Sequence, residues 1–291
     1  MLIPVKKIVE ELEIELKKEI EKLNKKKKLK LVVFLVGNSP EQLSFVAIKQ
    51  KTAKRLGIQF ELIQYKTVPS FEPFLRKIKE KSQDPETTGV IVQQPLPPQL
   101  STESMFDFVA LTKEIEGHRK KTEFFSPLAL ALLTLLKYIY IHPKIDGKLF
   151  LDNKKDFEGI RRVIKHKQII IVGRGITAGR PITKALSALR VNFVGINSQT
   201  PNPEEYYREA DIIISAVGKK IIVPTMLRPG VILLNVGVRK ENGRLHGDFE
   251  EKEVDSIASY YTGTPDGVGP LDVLYLFKNL VDAAKMQKHS T

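Results

Sequence analysis

Residues 172–181, Val-Gly-Arg-Gly-Ile-Thr-Ala-Gly-Arg-Pro, follow the β-branched run Ile169, Ile170, Ile171 and lead into the helix-forming stretch Ile182, Thr183, Lys184, Ala185, Leu186. Strand, glycine-rich turn and helix in that order make a phosphate cradle. Gly173 and Gly175 can take backbone angles closed to other residues and let the main chain approach a pyrophosphate, while the free N–H groups at the helix start carry partial positive charge. The expected ligand is a dinucleotide. The third glycine, Gly179, falls one residue later than in the common G-x-G-x-x-G spacing, and any tight βα turn can use two glycines, so the neighbouring elements carry the inference.

The residue closing the second strand of such a unit reads the adenosine ribose. An acid there accepts from the 2′-hydroxyl of NAD, whereas an uncharged residue with a nearby arginine tolerates the 2′-phosphate of NADP. Here the strand ends Gly195, Ile196, Asn197, Ser198, Gln199, Thr200, without an acid. Arg174 can pair with a phosphate and Ser198 can donate to it, so NADP is favoured. A second pair with chemical potential is Phe45 and Lys49, four apart on one helix face. A flat ring beside an amine in a cleft can stack a heterocycle and put a proton-transfer group next to it. Lys51 and Lys54 on the same helix make a simple wet face the competing reading.

These residues need elements to hold them. Asn192–Ile196, Ile212–Ser215 and Val231–Val236 are short, β-branched and nearly all apolar, as strands buried on both faces should be. With helical crossovers between them, Gln168 to about Tyr261 reads as a doubly wound parallel sheet. The first half reads as a second α/β unit. It has strands at Leu31–Val36, Phe60–Tyr65 and Gly89–Gln93, and helices from Pro40 to about Leu56 and from Phe71 to Lys81. Ser39 is the expected cap of the first of these helices, Pro40 its first residue and Gly57 its stop. Gln93 and the turn Gln94-Pro95-Leu96-Pro97-Pro98 then face a cleft at the carboxyl end of the sheet.

Composition narrows the classes. The 291 residues, 42% hydrophobic, suffice for two domains. With no cysteine, disulfides, thiolate metal sites and cysteine nucleophiles are excluded. The five histidines are expected to be scattered, with no i, i+4 pairing to a carboxylate of the kind that suggests zinc, so no metal site is expected. The apolar stretch Phe124–Leu136 is too short to span a bilayer and reads as a buried helix in its second half. Ile8, Leu12, Leu16, Ile20 and Leu23 space out an amphipathic helix rather than a signal peptide. A net charge of +13 raises nucleic acid as a partner. Its densest run, Lys25 to Lys28 and then Lys30, has no interleaved aromatics and reads as a solvated helix end.

Several segments together resemble the bifunctional methylenetetrahydrofolate dehydrogenase/cyclohydrolase family. They are Ser44-Phe45-Val46-Ala47-Ile48-Lys49 followed by Gly57-Ile58, then Val92-Gln93-Gln94-Pro95-Leu96-Pro97, Lys113-Glu114-Ile115-Glu116-Gly117, and Gly173-Arg174 through Pro181. Later segments agree: Ala210-Asp211-Ile212 to Gly218, Pro229-Gly230 to Gly237, Gly247-Asp248 and Gly267-Val268-Gly269-Pro270. The resemblance spans nearly the whole chain. It implies an α/β protein of two domains, an N-terminal folate-binding catalytic domain (1–124) and a C-terminal Rossmann-type NADP-binding domain (125–265). A last segment (266–291), with a helix over about Leu271 to Met286, returns to the first domain.

The resemblance further implies a homodimer that takes a hydride from 5,10-methylenetetrahydrofolate to NADP and opens the methenyl product with water to 10-formyltetrahydrofolate; the lack of cysteine fits a cytoplasmic location, and neither nucleic acid nor a membrane is expected as a partner. Lys49 then matches the main catalytic group, Gln93 the residue that positions it, and Glu116 the acid that binds the pterin. Phe45, Pro265, Asp266 and Gly267 line the substrate, and Gly173, Arg174, Gly175, Ser198 and Val238 the cofactor.

The departures from the family pattern are also informative. Phe45 stands for the family's tyrosine, so stacking is kept and a hydroxyl within reach of Lys49 is lost, which exposes the hydrolytic step most. Glu116 stands for an aspartate, one methylene shorter. Phe125 replaces a cysteine, and Asp266 puts a carboxylate where the family has glycine. The connection Tyr138–His166 is longer than the family's, with an expected turn at Asp146-Gly147 and a helix from Phe157. The competing reading is a folate- or nucleotide-binding homologue that lost catalysis through the changes at Phe45, Glu116 and Asp266, against which the retention of Lys49 with Gln93 weighs.

Overall fold

The computed structural model describes residues 1–25, 27–152 and 155–288; Lys26 of the lysine run lies outside them. The chain divides into two compact units, Glu13–Pro127 with Val273–Thr291, and Met1–Leu12 with Leu128–Asp272.

Helix α1 (Val5–Asn24) contributes residues to each unit. Its Ile8, Leu12, Leu16 and Ile20 are at most 1% exposed, the four-residue spacing that buries one stripe. In the first unit, β1 (Lys30–Val36) leads through α2 (Pro40–Leu56), β2 (Gln59–Tyr65) and α3 (Phe71–Gln83) to β3 (Gly89–Val92). The strands form a parallel sheet in the order β2-β1-β3, with Lys30 opposite Gln59 and Leu31 opposite Gly89. The ends of α2 are set as the residue types require. The Ser39 side chain accepts from the Gln42 N–H, Pro40 opens the helix, and Gly57 closes it at φ 70°. Phe74 of α3 meets Phe34 and Tyr65 edge-on, with ring centroids 6.0 and 5.5 Å apart.

The strand expected through Gln93 stops at Val92, although the Gln93 N–H still donates to the Phe34 carbonyl at 2.9 Å. The lysine run is not simply solvated. Lys30 pairs with Glu61 at 2.6 Å and Lys27 with Glu86 at 3.5 Å, because β2 and the segment leading into β3 bring those acids beside the start of β1.

In the other unit, α4 (Pro127–Tyr140) starts with Pro127 counted to the first unit and is buried nearly all round. There follow α5 (Asp156–Ile164), β4 (Ile169–Val172), α6 (Gly179–Ala188), β5 (Val194–Ile196), α7 (Pro203–Glu209), β6 (Ile212–Ser215) and β7 (Ile232–Asn235). A hairpin of β8 (Arg239–Glu241) and β9 (Arg244–His246), α8 (Glu251–Val254) and β10 (Tyr260–Tyr261) complete it. The sheet runs β10-β7-β6-β4-β5, all parallel, as expected of a doubly wound fold. From β4 the chain goes to β5 on one side and then to β6 on the other, so the end of β4 is the topological switch point where such sheets take ligands. The hairpin turns on Asn242 and Gly243, both at positive φ. Beside β10, Leu2 bridges Tyr261 in parallel, and the Ile3 N–H donates to the Tyr261 carbonyl at 2.8 Å.

Asp146 caps a short turn at Gly147–Leu149, and α5 begins one residue before Phe157. The ammonium of Lys137, 8% exposed, holds this connection by donating to the carbonyls of Lys148 and Phe150 and pairing with Asp156 at 2.7 Å. The last helix, α9 (Val268–Lys288), packs from Val273 onward on the first unit. There Asn279 donates to the carbonyls of Ile115 at 2.8 Å and Phe125 at 3.0 Å, and Gln287 to Thr88 and Thr112. No helix among the described residues is long and apolar enough to cross a membrane.

Candidate active site

Lys49 projects from α2 and Gln93 from the end of β3. The Lys49 ammonium donates to the Gln93 side-chain oxygen at 2.7 Å and lies 3.6 Å from a carboxylate oxygen of Glu116. Gln93 is oriented in turn by donating to the Gln94 carbonyl at 2.8 Å. Lys49 and Glu116 keep only 13% and 17% of their side-chain surface, so the helix does not present Lys49 as one more wet lysine. Phe45, one turn earlier, is 48% exposed and leaves an open aromatic face beside the amine.

Glu116 sits on a turn that a buried acid ties down. The Glu114 carboxylate accepts from the Glu116 N–H at 3.0 Å and the Arg119 N–H at 3.4 Å. Burial pushes the Glu114 carboxyl above its ordinary range; the nearby His118 opposes this and the Glu116 charge adds to it. Gly117 between them has φ 76°, and a Cβ there would stand 2.7 Å from the Phe124 carbonyl oxygen, so only glycine fits. Glu114 stood inside a recognised segment without a role of its own, and His118 was missed. The signal for each was its place two residues from Glu116.

The other unit holds the predicted nucleotide residues. Gly173 has φ 102°, and a Cβ would meet the Ala216 carbonyl oxygen at 2.7 Å. Gly175 is spacious: nothing stands within 4 Å of its virtual Cβ. The close approach falls at Gly179, where a Cβ would strike the Gly173 carbonyl, and α6 accordingly starts there rather than at Ile182. Arg174 is exposed and donates to the Gly195 carbonyl at 2.6 Å, which holds its guanidinium against β5; Ser198, two residues past that strand, is also exposed. A positive-φ turn after β4, a bare approach and an exposed guanidinium at β5 fit a phosphate-bearing dinucleotide.

Beneath this turn, Asp248 is fully buried and accepts from the N–H groups of Val217, Gly218 and Lys219 at 2.9, 2.8 and 3.1 Å. Burial raises its pKa, against the pull of those donors. Asn235 accepts from Ser215 Oγ and the Asp248 N–H and donates to the Gly237 carbonyl and Thr264 Oγ1. This network fixes the ends of β6 and β7 and leads to Pro265, Asp266 (φ 66°) and Gly267. Val238, at 52% exposed, lies just past Gly237.

The histidines are less scattered than expected. His142 pairs with Asp146 at 2.9 Å and His246 with Glu250 at 3.5 Å, each four residues on, because local turns fold the acid back to the ring. Among the described residues no group of three or more such side chains is placed to hold a metal ion.

A Rossmann-type sheet with a glycine-rich turn at its switch point, joined in one chain to an α/β unit bearing a lysine–glutamine–glutamate cluster, defines a two-domain α/β protein. Residues 3–116 match the catalytic domain, and residues 157–288 the NAD(P)-binding domain, of tetrahydrofolate dehydrogenase/cyclohydrolase. The chain belongs to that family. The Bifunctional protein FolD of Lactobacillus gasseri is 34% identical to it over 274 residues, 94% of this chain and 93% of that protein. The Bifunctional protein FolD of Bacillus subtilis is 31% identical over 274 residues, 93% of each. The crystal structure of the bifunctional enzyme FolD, methylenetetrahydrofolate dehydrogenase/cyclohydrolase, from Campylobacter jejuni is 25% identical and covers 99% of each chain with a TM-score of 0.85.

Proposed function

We propose that this chain oxidises 5,10-methylenetetrahydrofolate to 5,10-methenyltetrahydrofolate with NADP and hydrolyses the product to 10-formyltetrahydrofolate, the hydrolysis being the weakened step. The observation that carries this reading is the Lys49 ammonium held between the Gln93 oxygen and the Glu116 carboxylate. Bound NADP supplies the acceptor for a hydride from the one-carbon bridge. Arg174 and Ser198, with no acid from Gly195 to Thr200, are suited to the 2′-phosphate, and Gly173 and Gly179 to the pyrophosphate.

In the second reaction water adds to the cationic carbon, the C–N bond to the pterin ring opens, and one proton is released overall. Lys49 is the group placed to move protons between the adding water and the departing nitrogen. Gln93 fixes the direction of its Nζ. Glu116 receives the pterin N–H donors, and the Phe45 face stacks the ring. Phe45 offers no hydroxyl to hydrogen-bond Lys49, which is the basis for the weakened hydrolysis. Pro265, Asp266 and Gly267 complete the substrate set, and Gly175 and Val238 the cofactor set. Support for the domain assignment, catalytic 1–124, cofactor-binding 125–265 and returning segment 266–291, comes from the matched ranges 3–116 and 157–288. By resemblance the protein is further read as a homodimer, which light scattering tests, and its lack of cysteine fits the cytoplasm.

The deciding experiment mixes purified protein with methylenetetrahydrofolate and NADP and follows NADPH and the methenyl compound separately, with an NAD control. NADPH formation with partial methenyl build-up is expected. No reduced cofactor from either nucleotide would leave the protein a non-catalytic folate- or nucleotide-binding homologue.

A further inference from the structure

We infer that His118 is a positioning residue that, paired with Glu116, fixes the carboxylate for the pterin; the inference rests on the folate reading of this site. Glu116 divides its oxygens: Oε1 is 3.6 Å from the Lys49 ammonium and Oε2 is 3.7 Å from Nε2 of His118. A carboxylate with a basic group facing each oxygen has its plane biased, leaving both oxygens free to accept from a ligand. A glutamate gripped at one oxygen would keep the rotation of its terminal torsion.

His118 is itself held. Its ring lies on that of Phe106, with centroids 4.6 Å apart and planes 31° apart, and Phe106 packs against the buried core of Phe34, Phe74 and Val92. Its backbone is fixed from both sides, since the Glu114 carboxylate takes the N–H groups of residues 116 and 119. The left-handed turn at Gly117 folds the chain so that side chains 116 and 118 converge. The charged groups facing the imidazole are Glu116 and the buried Glu114. The extra methylene of glutamate over aspartate thus gains a use, because the longer arm spans Lys49 and His118 together.

The test measures dissociation constants of tetrahydrofolate and of NADP by calorimetry, and KM and kcat for methylenetetrahydrofolate, on the full chain. His118→Phe keeps a ring on Phe106 and removes the nitrogen. It is expected to weaken tetrahydrofolate and raise KM several fold, up to about tenfold, the scale of one lost close polar contact, with NADP affinity unchanged and kcat within about twofold. His118→Gln, which returns an N–H near the place of Nε2, is expected to restore most of the loss. Glu116→Asp with His118→Phe should be no worse than the worse single variant, since the two residues act through one contact.

Unchanged tetrahydrofolate affinity in His118→Phe, a Gln variant as weak as the Phe variant, or additive losses in the double variant would each overturn the inference. If His118→Phe does not fold, His118→Gln and Glu116→Asp carry the comparison. Wild-type protein that binds tetrahydrofolate without turnover overturns the enzymatic reading alone; wild-type protein that does not bind it overturns both.

Discussion

The Lys49 ammonium and the Gln93 amide oxygen meet at 2.7 Å across two different elements, a helix and the end of a strand, and the amide is itself anchored to the next carbonyl in the chain. The lysine is therefore aimed before any ligand arrives. Replacing it by methionine keeps the length and removes the proton-carrying group. Lys49→Met is expected to lower methenyl hydrolysis by roughly a hundredfold or more, to the spontaneous rate, in a stopped-flow absorbance assay. Hydrolysis left intact would reassign the catalytic group.

Phe45 lies one helical turn from Lys49 with half its ring in solvent. Phe45→Tyr adds a hydroxyl at the far edge of that ring without changing the stack. The expected result is faster methenyl hydrolysis, by several fold, with the dehydrogenase rate little altered, measured as the ratio of methenyl accumulated to NADPH formed.

Glu114 gives a pH dependence with a definite sign. Unfolded, its carboxyl ionises in the ordinary range near about pH 4, whereas in the folded chain burial keeps the proton on to higher pH. Across that interval the native state binds more protons, so the residue's contribution to stability falls as pH rises. Glu114→Gln cannot ionise. The unfolding free energy of wild type minus that of Glu114→Gln should be greatest in acid, decline upward from about pH 4, and then level. Denaturant titrations at several pH values check this, and a flat difference would refute it.

Lys137 ties the long connection to α4 through Asp156 and two carbonyls. Lys137→Met leaves the partly buried Asp156 carboxylate, which still accepts from the Asp152 N–H, and two carbonyl oxygens without the ammonium. A loss of about 3 kcal/mol in unfolding free energy is expected, within the range for breaking a buried pair. A change below about 1 kcal/mol would show that the connection does not depend on this contact.

Gly173→Ala places a methyl 2.7 Å from the Ala216 carbonyl at a residue whose φ is 102°. The turn after β4 must shift, and NADP affinity is expected to drop at least about tenfold, while tetrahydrofolate affinity stays. Calorimetry with each ligand separates the two.

Much of this was legible because it is local. The run Ile169–Val172 could only be a buried strand, and Ser39, Pro40 and Gly57 each mark a helix end by side-chain chemistry alone. The turn Asn242-Gly243 was equally local, the strongest short hairpin signal there is, and still went unread between β8 and β9. What stayed hidden depends on partners distant in sequence. Lys30 looks like the tail of a charged run until Glu61 of the neighbouring strand is placed beside it. Glu114 looks exposed until its bridge to Val90 adds it to the sheet edge and buries it. Gly175 and Gly179 exchange roles for a similar reason. Spacing along the chain says that glycines are present, and only the returning helix says which of them has no room.

The strip from Met1 to Ile3 lies along Tyr261, at the edge of the five-stranded sheet. Leu2 and Ile3 thus lie along a strand made some 260 residues after them. At roughly 5–20 residues per second, a ribosome takes on the order of 10–50 s to bring Tyr261 out. For that interval the early strip has no edge to lie on, so this sheet is finished only when residues some 260 apart in the chain are both out of the ribosome.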